Sequence, residues 1–143
     1  MSTWFKAAVA GAITLATGLL GGWDLAVQGL LFFLAADYIL AMLRAVGAGA
    51  FNSSAGVRGL FRKLAQLAAV AIAHGLDIYV FRGTPWARTL TVVVLTLNEA
   101  GSTLAHLAAM GVPLPAPVKQ ALEGEILRKQ VANTVTDKRG GAA

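Results

Sequence analysis

Four apolar stretches, separated by short polar or glycine-rich breaks, set the pattern of this chain. The first runs from Ala7 to about Gly22, with Trp4 and Phe5 before it and Trp23 after it. The second runs from about Leu25 to Leu43 and contains Leu30-Leu31-Phe32-Phe33-Leu34. The third, from about Leu64 to Phe81, carries His74 and Asp77. The fourth, from about Thr89 to Met110, carries Thr96, Asn98, Glu99, Ser102, Thr103 and His106. Length and helical spacing predict an α-helix for each. Leu19-Leu20-Gly21-Gly22-Trp23-Asp24 predicts a tight turn that makes a hairpin of the first two. Ala45 to Gly59, rich in Gly, Asn and Ser, reads as a loop, and Arg82-Gly83-Thr84-Pro85 as a turn. Gly111-Val112-Pro113-Leu114-Pro115 stops the fourth helix, because Pro cannot continue one. A short helix with charged flanks is expected from Pro117, and disorder from Ala132.

Composition turns these helices into membrane elements. The chain has 143 residues, enough for one domain. It is 57% hydrophobic and 13% charged, with a mean hydropathy of +0.67. A soluble domain carries roughly 25% charged residues. The expected fold is an all-α integral membrane helical bundle with four transmembrane helices. Three crossings are the alternative: Lys63, Gln66, Val70, His74 and Asp77 form a polar stripe on the third segment, which also suits a helix lying in the interface. The first segment is short against the roughly 20 residues of a span. It crosses if its aromatic flanks and local bilayer thinning count. Residues 1–116 then form the transmembrane domain and 117–143 a basic cytoplasmic tail. Lys6 followed by an apolar run has the shape of a signal peptide, but the run leads straight into the second, so it is expected to be retained.

Charge sets the expected topology. The formal net charge is +5. With four spans, one side holds ten cations: Lys6, Arg44, Arg58, Arg62, Lys63, Lys119, Arg128, Lys129, Lys138 and Arg139. The other holds Arg82 and Arg88. That split places both termini in the cytoplasm; three spans would divide the cations seven against five. The cations do not form a dense patch with aromatic residues, so no nucleic acid partner is expected. Trp4, Trp23 and Trp86 are the expected interface anchors. Ala7, Gly11, Thr14, Gly18 and Gly22 recur at spacings of three or four, which suits close helix packing or contact between copies. A bulky residue at Gly22 is expected to damage assembly without touching a charge.

The chain carries no catalytic signature. The chain has no cysteine, so thiolate metal sites and Cys nucleophiles are excluded. His74 and His106 stand apart, with no second ligand at metal-binding spacing. No phosphate loop and no nucleophile elbow occur. No enzyme activity, cofactor or metal is expected. The notable residues are the intramembrane acids Asp37, Asp77 and Glu99, on stripes shared with His74, Asn98, Ser102 and His106. Three readings stay open: an ion or proton path, pairing inside the bundle with Arg44, His74, His106 or Asn98, or a wet surface between copies.

Six short motifs, in order, resemble those of the toxin-secretion/phage-lysis holin family. They are Gly21-Gly22-Trp23-Asp24; Asp37-Tyr38-Ile39; Ser53-Ser54 with Gly56, Gly59 and Arg62-Lys63; Asp77; Asn98-Glu99 with Ser102; and Met110-Gly111-Val112-Pro113-Leu114-Pro115. The resemblance covers about Leu19 to Leu127. Leu40-Ala41 and Ala105-His106 depart from the family pattern. The resemblance implies a protein of the host bacterial cytoplasmic membrane that oligomerises and permeabilises the bilayer. It implies an endolysin or signal-less toxin as released cargo, and an antiholin as a possible regulatory partner. A small ion-coupled channel or transporter, or an antiholin-like regulator, is the alternative.

Overall fold

The computed structural model describes residues 2–121, 123 and 124. Among these the regular structure is helical, in the order α1 (Thr3–Leu19), α2 (Leu25–Gly47), α3 (Ser53–Tyr79) and α4 (Trp86–Ala109). The disorder expected from Ala132 lies outside the described residues.

Each helix end follows from local chemistry. Leu20 caps the C-terminus of α1, and two bonds close it: Gly22 N–H to the Thr17 carbonyl at 2.9 Å and Gly21 N–H to Gly18 at 3.2 Å. This closure needs a left-handed residue, and Gly21 supplies it at φ +79°. The same paired bonds end α2 at Gly49 and α4 at Gly111. So α4 ends at Ala109 and closes on Gly111, the first residue of the Gly111–Pro115 stretch expected to stop it. Asp24 starts α2 by accepting from Val27 N–H at 2.9 Å.

The clearest departure from the sequence reading is α3. It begins at Ser53, so the second half of the expected Ala45–Gly59 loop is helix. Asn52 caps it, its side chain accepting from Ser54 N–H at 3.0 Å. Gly56 and Gly59 look like loop residues by composition, but both face α2. A Cβ at Gly56 would stand 2.6 Å from Met42 Cε, and one at Gly59 would stand 3.6 Å from the Tyr38 ring. At Gly56 the Met42 methyl would have to shift to admit a Cβ, whereas at Gly59 the contact would be an ordinary one. The Tyr38 hydroxyl reaches the Gly56 carbonyl at 3.4 Å.

Contacts divide the chain into two units, Met1–Thr103 and Leu104–Ala143. In the first, Leu20, Val27, Leu30, Leu34, Val70 and Val92 form a small buried core, with Leu31, Leu67 and Leu95 packed on it. Gly56 packs near Met42, while Asp77, near the end of α3, reaches the first turn of α4. So α2, α3 and α4 run alternately up and down. The second unit contains the end of α4, the Gly111 closure and a helical turn at 116–121.

The outside of the first unit is apolar. Leu25, Phe32, Ile72 and Leu97 are among many large hydrophobic side chains that are more than half exposed. The 23-residue α2 and the 24-residue α4 are long and apolar enough to cross a membrane, with only 22% and 17% of their apolar windows buried. Core helices of a soluble protein would be covered. By the same measure α1 is apolar but short at 17 residues. The 27-residue α3 is long but carries too much polarity to qualify.

Candidate functional site

Three helices bring opposite charges together in the interior. Asp37 stands on α2, Lys63 on α3 and Glu99 on α4, and all three are buried. Lys63 Nζ donates to Asp37 Oδ2 at 2.5 Å and also to Glu99 Oε2. One turn along α3, Gln66 Nε2 donates to Glu99 Oε1 at 2.7 Å. A buried charge is tolerated only when paired and hydrogen-bonded. Here one ammonium serves two carboxylates, so the fully ionised set carries a formal charge of −1. Thr103, one turn beyond Glu99, returns its hydroxyl to the Glu99 carbonyl at 2.8 Å.

A second polar cluster ties the α1–α2 turn to the start of α4. Arg88 is buried in the first turn of α4. Its Nε donates to the Leu20 carbonyl at 2.6 Å, and its Nη1 pairs with Asp24 Oδ2 at 2.8 Å. Asp77 accepts from the backbone amides of Ala87 and Arg88, both at 2.9 Å. Those amides have no acceptor within α4 because they open the helix, and a carboxylate there also meets the positive end of its dipole. Asp77 is therefore a helix cap lent by a neighbouring helix. Asp77→Ala should cost about 1–3 kcal/mol by leaving buried amides unsatisfied. Hydrogen exchange at Ala87 and Arg88 checks it: unchanged protection would refute the capping role.

Arg88 also sets the charge state of Asp24. Its hydrogen bond, helped by that of Val27, holds the Asp24 carboxyl below its ordinary 3.8. A lowered folded-state value means stability that is full above 3.8 and lost as pH falls through the lowered value. The α1–α2 turn should therefore loosen only under acid. In Asp24→Asn that acid step should vanish, as read by Trp23 fluorescence against pH.

The other residues singled out by sequence fall in several places. His74 is half-buried near Gly21 and Arg88. Ser102 is half-buried and Asn98 exposed. His106 is half-buried in the second unit. Trp4, Trp23 and Trp86 are each more than half exposed, and Trp86 packs on Phe81 with ring centroids 4.9 Å apart. At Gly11, Gly18 and Gly22 an added Cβ would meet nothing within 4 Å, so the small-residue row makes no close contact within the chain. The close approach is at the neighbouring Gly21.

The pairing partners differ from those expected. Asp37 pairs with Lys63 rather than with Arg44, which is exposed. Glu99 pairs with Lys63 and Gln66, while Asn98 is exposed. Asp24 is half-exposed and ion-paired rather than simply in water. Lys63, which the sequence counts among the cations of one membrane side and also sets on the polar stripe of the third segment, and Arg88, counted on the other side, are both buried. The signal that finds Lys63 is its phase: with Val70, Ala73 and Asp77 it lies on the buried stripe of α3. Among the described residues no group of three His, Cys, Asp or Glu side chains could hold a metal ion.

Residues 14–125 match the bacteriophage holin family, a stretch that contains both polar clusters. The chain belongs to that family. With its two long apolar helices, this holin-family chain is a membrane protein. It is 36% identical over 110 residues to an uncharacterised 14.9 kDa protein in the nagH 3′ region of Clostridium perfringens, covering 77% of this chain and 83% of that one. It is 34% identical over 105 residues to an uncharacterised Listeria monocytogenes protein, covering 73% and 74%. A Halalkalibacterium halodurans protein, also uncharacterised, is 31% identical over 123 residues, covering 83% and 89%. No solved structure matches the holin-family chain.

Proposed function

We propose that this protein is a phage-type holin. It accumulates in the bacterial cytoplasmic membrane, assembles with copies of itself and opens a lesion. Through that lesion an endolysin or a toxin without a signal peptide leaves the cytoplasm. The observation that carries this reading is the buried Asp37–Lys63–Glu99 set under an apolar exterior. While the set is closed, the chain shows lipid an apolar surface and hides its charges. When the helices part among several copies, the same groups, with Gln66, can face water and line the opening. Water then replaces the lost partners, so the step costs far less than exposing those charges to hydrocarbon.

The topology belongs to the same proposal. Here α1 and α3 complete four crossings, α1 with its aromatic flanks and α3 with its polar stripe turned inward. Removing the buried Lys63 and Arg88 from the expected charge split leaves nine cations on one side: Lys6, Arg44, Arg58, Arg62, Lys119, Arg128, Lys129, Lys138 and Arg139. The other side keeps Arg82 alone. This supports cytoplasmic termini. Inducible expression with viability and release of a cytoplasmic reporter protein tests the function. Killing with reporter release is expected, and Glu99→Gln should shift its onset. A second reading, an ion-coupled channel, draws on two buried carboxylates sharing one ammonium. Ion-selective current with the reporter retained would favour it over the holin. Expression without killing would favour a regulatory, antiholin-like role.

A further inference from the structure

The corner between α2 and α3 holds a feature that lesion formation does not use. A cavity of about 150 Å³ opens there, lined by Met42 and Ala45 of α2, Phe51 of the loop, and Ala55 and Arg62 of α3. Its inner end reaches Asp37 and Lys63, whose charges are already engaged with each other. Apart from Asp37, the charged groups lining it are basic, Arg62 and Lys63. No Asp or Glu occurs between Asp37 and Asp77, while Arg44, Arg58 and Arg62 all lie in that interval. All three are exposed, and among the described residues none forms an ion pair.

The first half of α3 arranges these groups in three sectors. Gly56, Gly59 and Lys63 face α2 or the interior. Val57, Leu60, Phe61 and Leu64 are exposed on the far side, each about half open or more. Arg58 and Arg62, one turn apart, fall between the two sectors. An apolar face, then a strip of guanidinium groups, then a cavity is the order in which a helix at the edge of a bilayer would meet acyl chains and phosphates. Guanidinium groups bind phosphate oxygens in bidentate geometry.

We propose that this corner binds the headgroup of an anionic phospholipid. The phosphate lies on Arg58 and Arg62, with Arg44 contributing from the last turn of α2. The glycerol end enters the cavity beside Met42, Phe51 and Ala55. Charge complementarity selects the occupant: three exposed cations outside the ion pairs of the described residues, on a stretch of chain whose nearest acid, Asp37, is already held by Lys63, in a protein that lives in lipid. The site adjoins the buried charge set at Asp37 and Lys63, but the cations assigned to the phosphate, Arg44, Arg58 and Arg62, lie outside that set.

Native mass spectrometry of the full-length protein in neutral detergent, with equal phosphatidylglycerol and phosphatidylcholine added, tests this. The wild-type chain should retain phosphatidylglycerol preferentially. An Arg beside an anionic headgroup is worth about fivefold, so Arg58→Gln with Arg62→Gln should reduce retention by about 25-fold. Ala55→Leu, which fills the cavity and leaves every charge in place, should also lower it. Lys6→Gln, a cation elsewhere, should leave it unchanged, and inorganic phosphate should not displace the lipid. Equal retention of the two lipids would overturn the proposal. So would an unaffected double variant, an unaffected Ala55→Leu, a Lys6→Gln effect as large as that of the arginines, or displacement by inorganic phosphate.

Discussion

Lys63→Met should destabilise the folded chain by about 3–5 kcal/mol, the cost of leaving buried carboxylates without their counter-charge. In the native chain one ammonium holds Asp37 of α2 and Glu99 of α4. Without it the two acids face each other in a dry interior, and three helices lose their common tie. Thermal unfolding in mild detergent, followed by circular dichroism, reads the loss. Adding Asp37→Asn and Glu99→Gln should recover most of it, because the triple variant leaves no charge in this cluster. That recovery separates electrostatics from mere loss of packing. A single variant within about 0.5 kcal/mol of wild type would remove the ammonium from its assigned role. In cells the same change should advance the onset of lysis if the charge set holds the closed state.

The second large effect is expected at Gly21. Its φ of +79° is a left-handed conformation, and a Cβ there would stand 2.6 Å from His74 Nδ1 and 2.7 Å from Arg88 Nε. Gly21→Val therefore meets two penalties. Left-handed backbone costs a side-chain-bearing residue about 1–2 kcal/mol. Forcing atoms into an occupied site adds about 1–3 kcal/mol. The clash also displaces Arg88 from Leu20 and Asp24, so the turn should come off the start of α4. Gly22→Val is the natural comparison. At φ +120° it carries backbone strain, but nothing lies within 4 Å of its added Cβ. It should be the milder change in the isolated chain by unfolding in detergent. Equal losses would mean that the Arg88 and His74 contacts contribute little. Any further damage by Gly22→Val that appears only in assembled protein would then report on contact between copies.

The two glycines show where sequence reasoning reached its limit. Both stand in the turn, and composition marks the turn without ranking them. The ranking depends on what approaches from α3 and α4, more than fifty residues away in the chain for His74 and Arg88. Asp77 teaches the same lesson. Its place on a polar stripe was legible, but a stripe cannot say that it caps another helix. The start of α3 was missed for a different reason. Gly and Ser between Ser53 and Gly59 lower helix propensity, and only the packing of Gly56 and Gly59 on Met42 and Tyr38 repays it.

The sequence by itself determined the helical class, the four apolar segments, the Gly21–Asp24 turn and the membership of six motifs in one family pattern. These depend on local periodicity, turn chemistry and composition, which each short stretch carries in full. The burial of Asp37, Asp77 and Glu99 on polar stripes was also within reach. Their partners were decided by tertiary structure alone. Arg88 sits at a segment edge and reads as a solvent cation, and Lys63 reads as one end of a polar stripe with no partner named, until three helices pack around them. Long flexible side chains can turn inward or outward from one backbone position, and the choice follows from the nearest counter-charge. That counter-charge comes from other helices, so no local pattern encodes it.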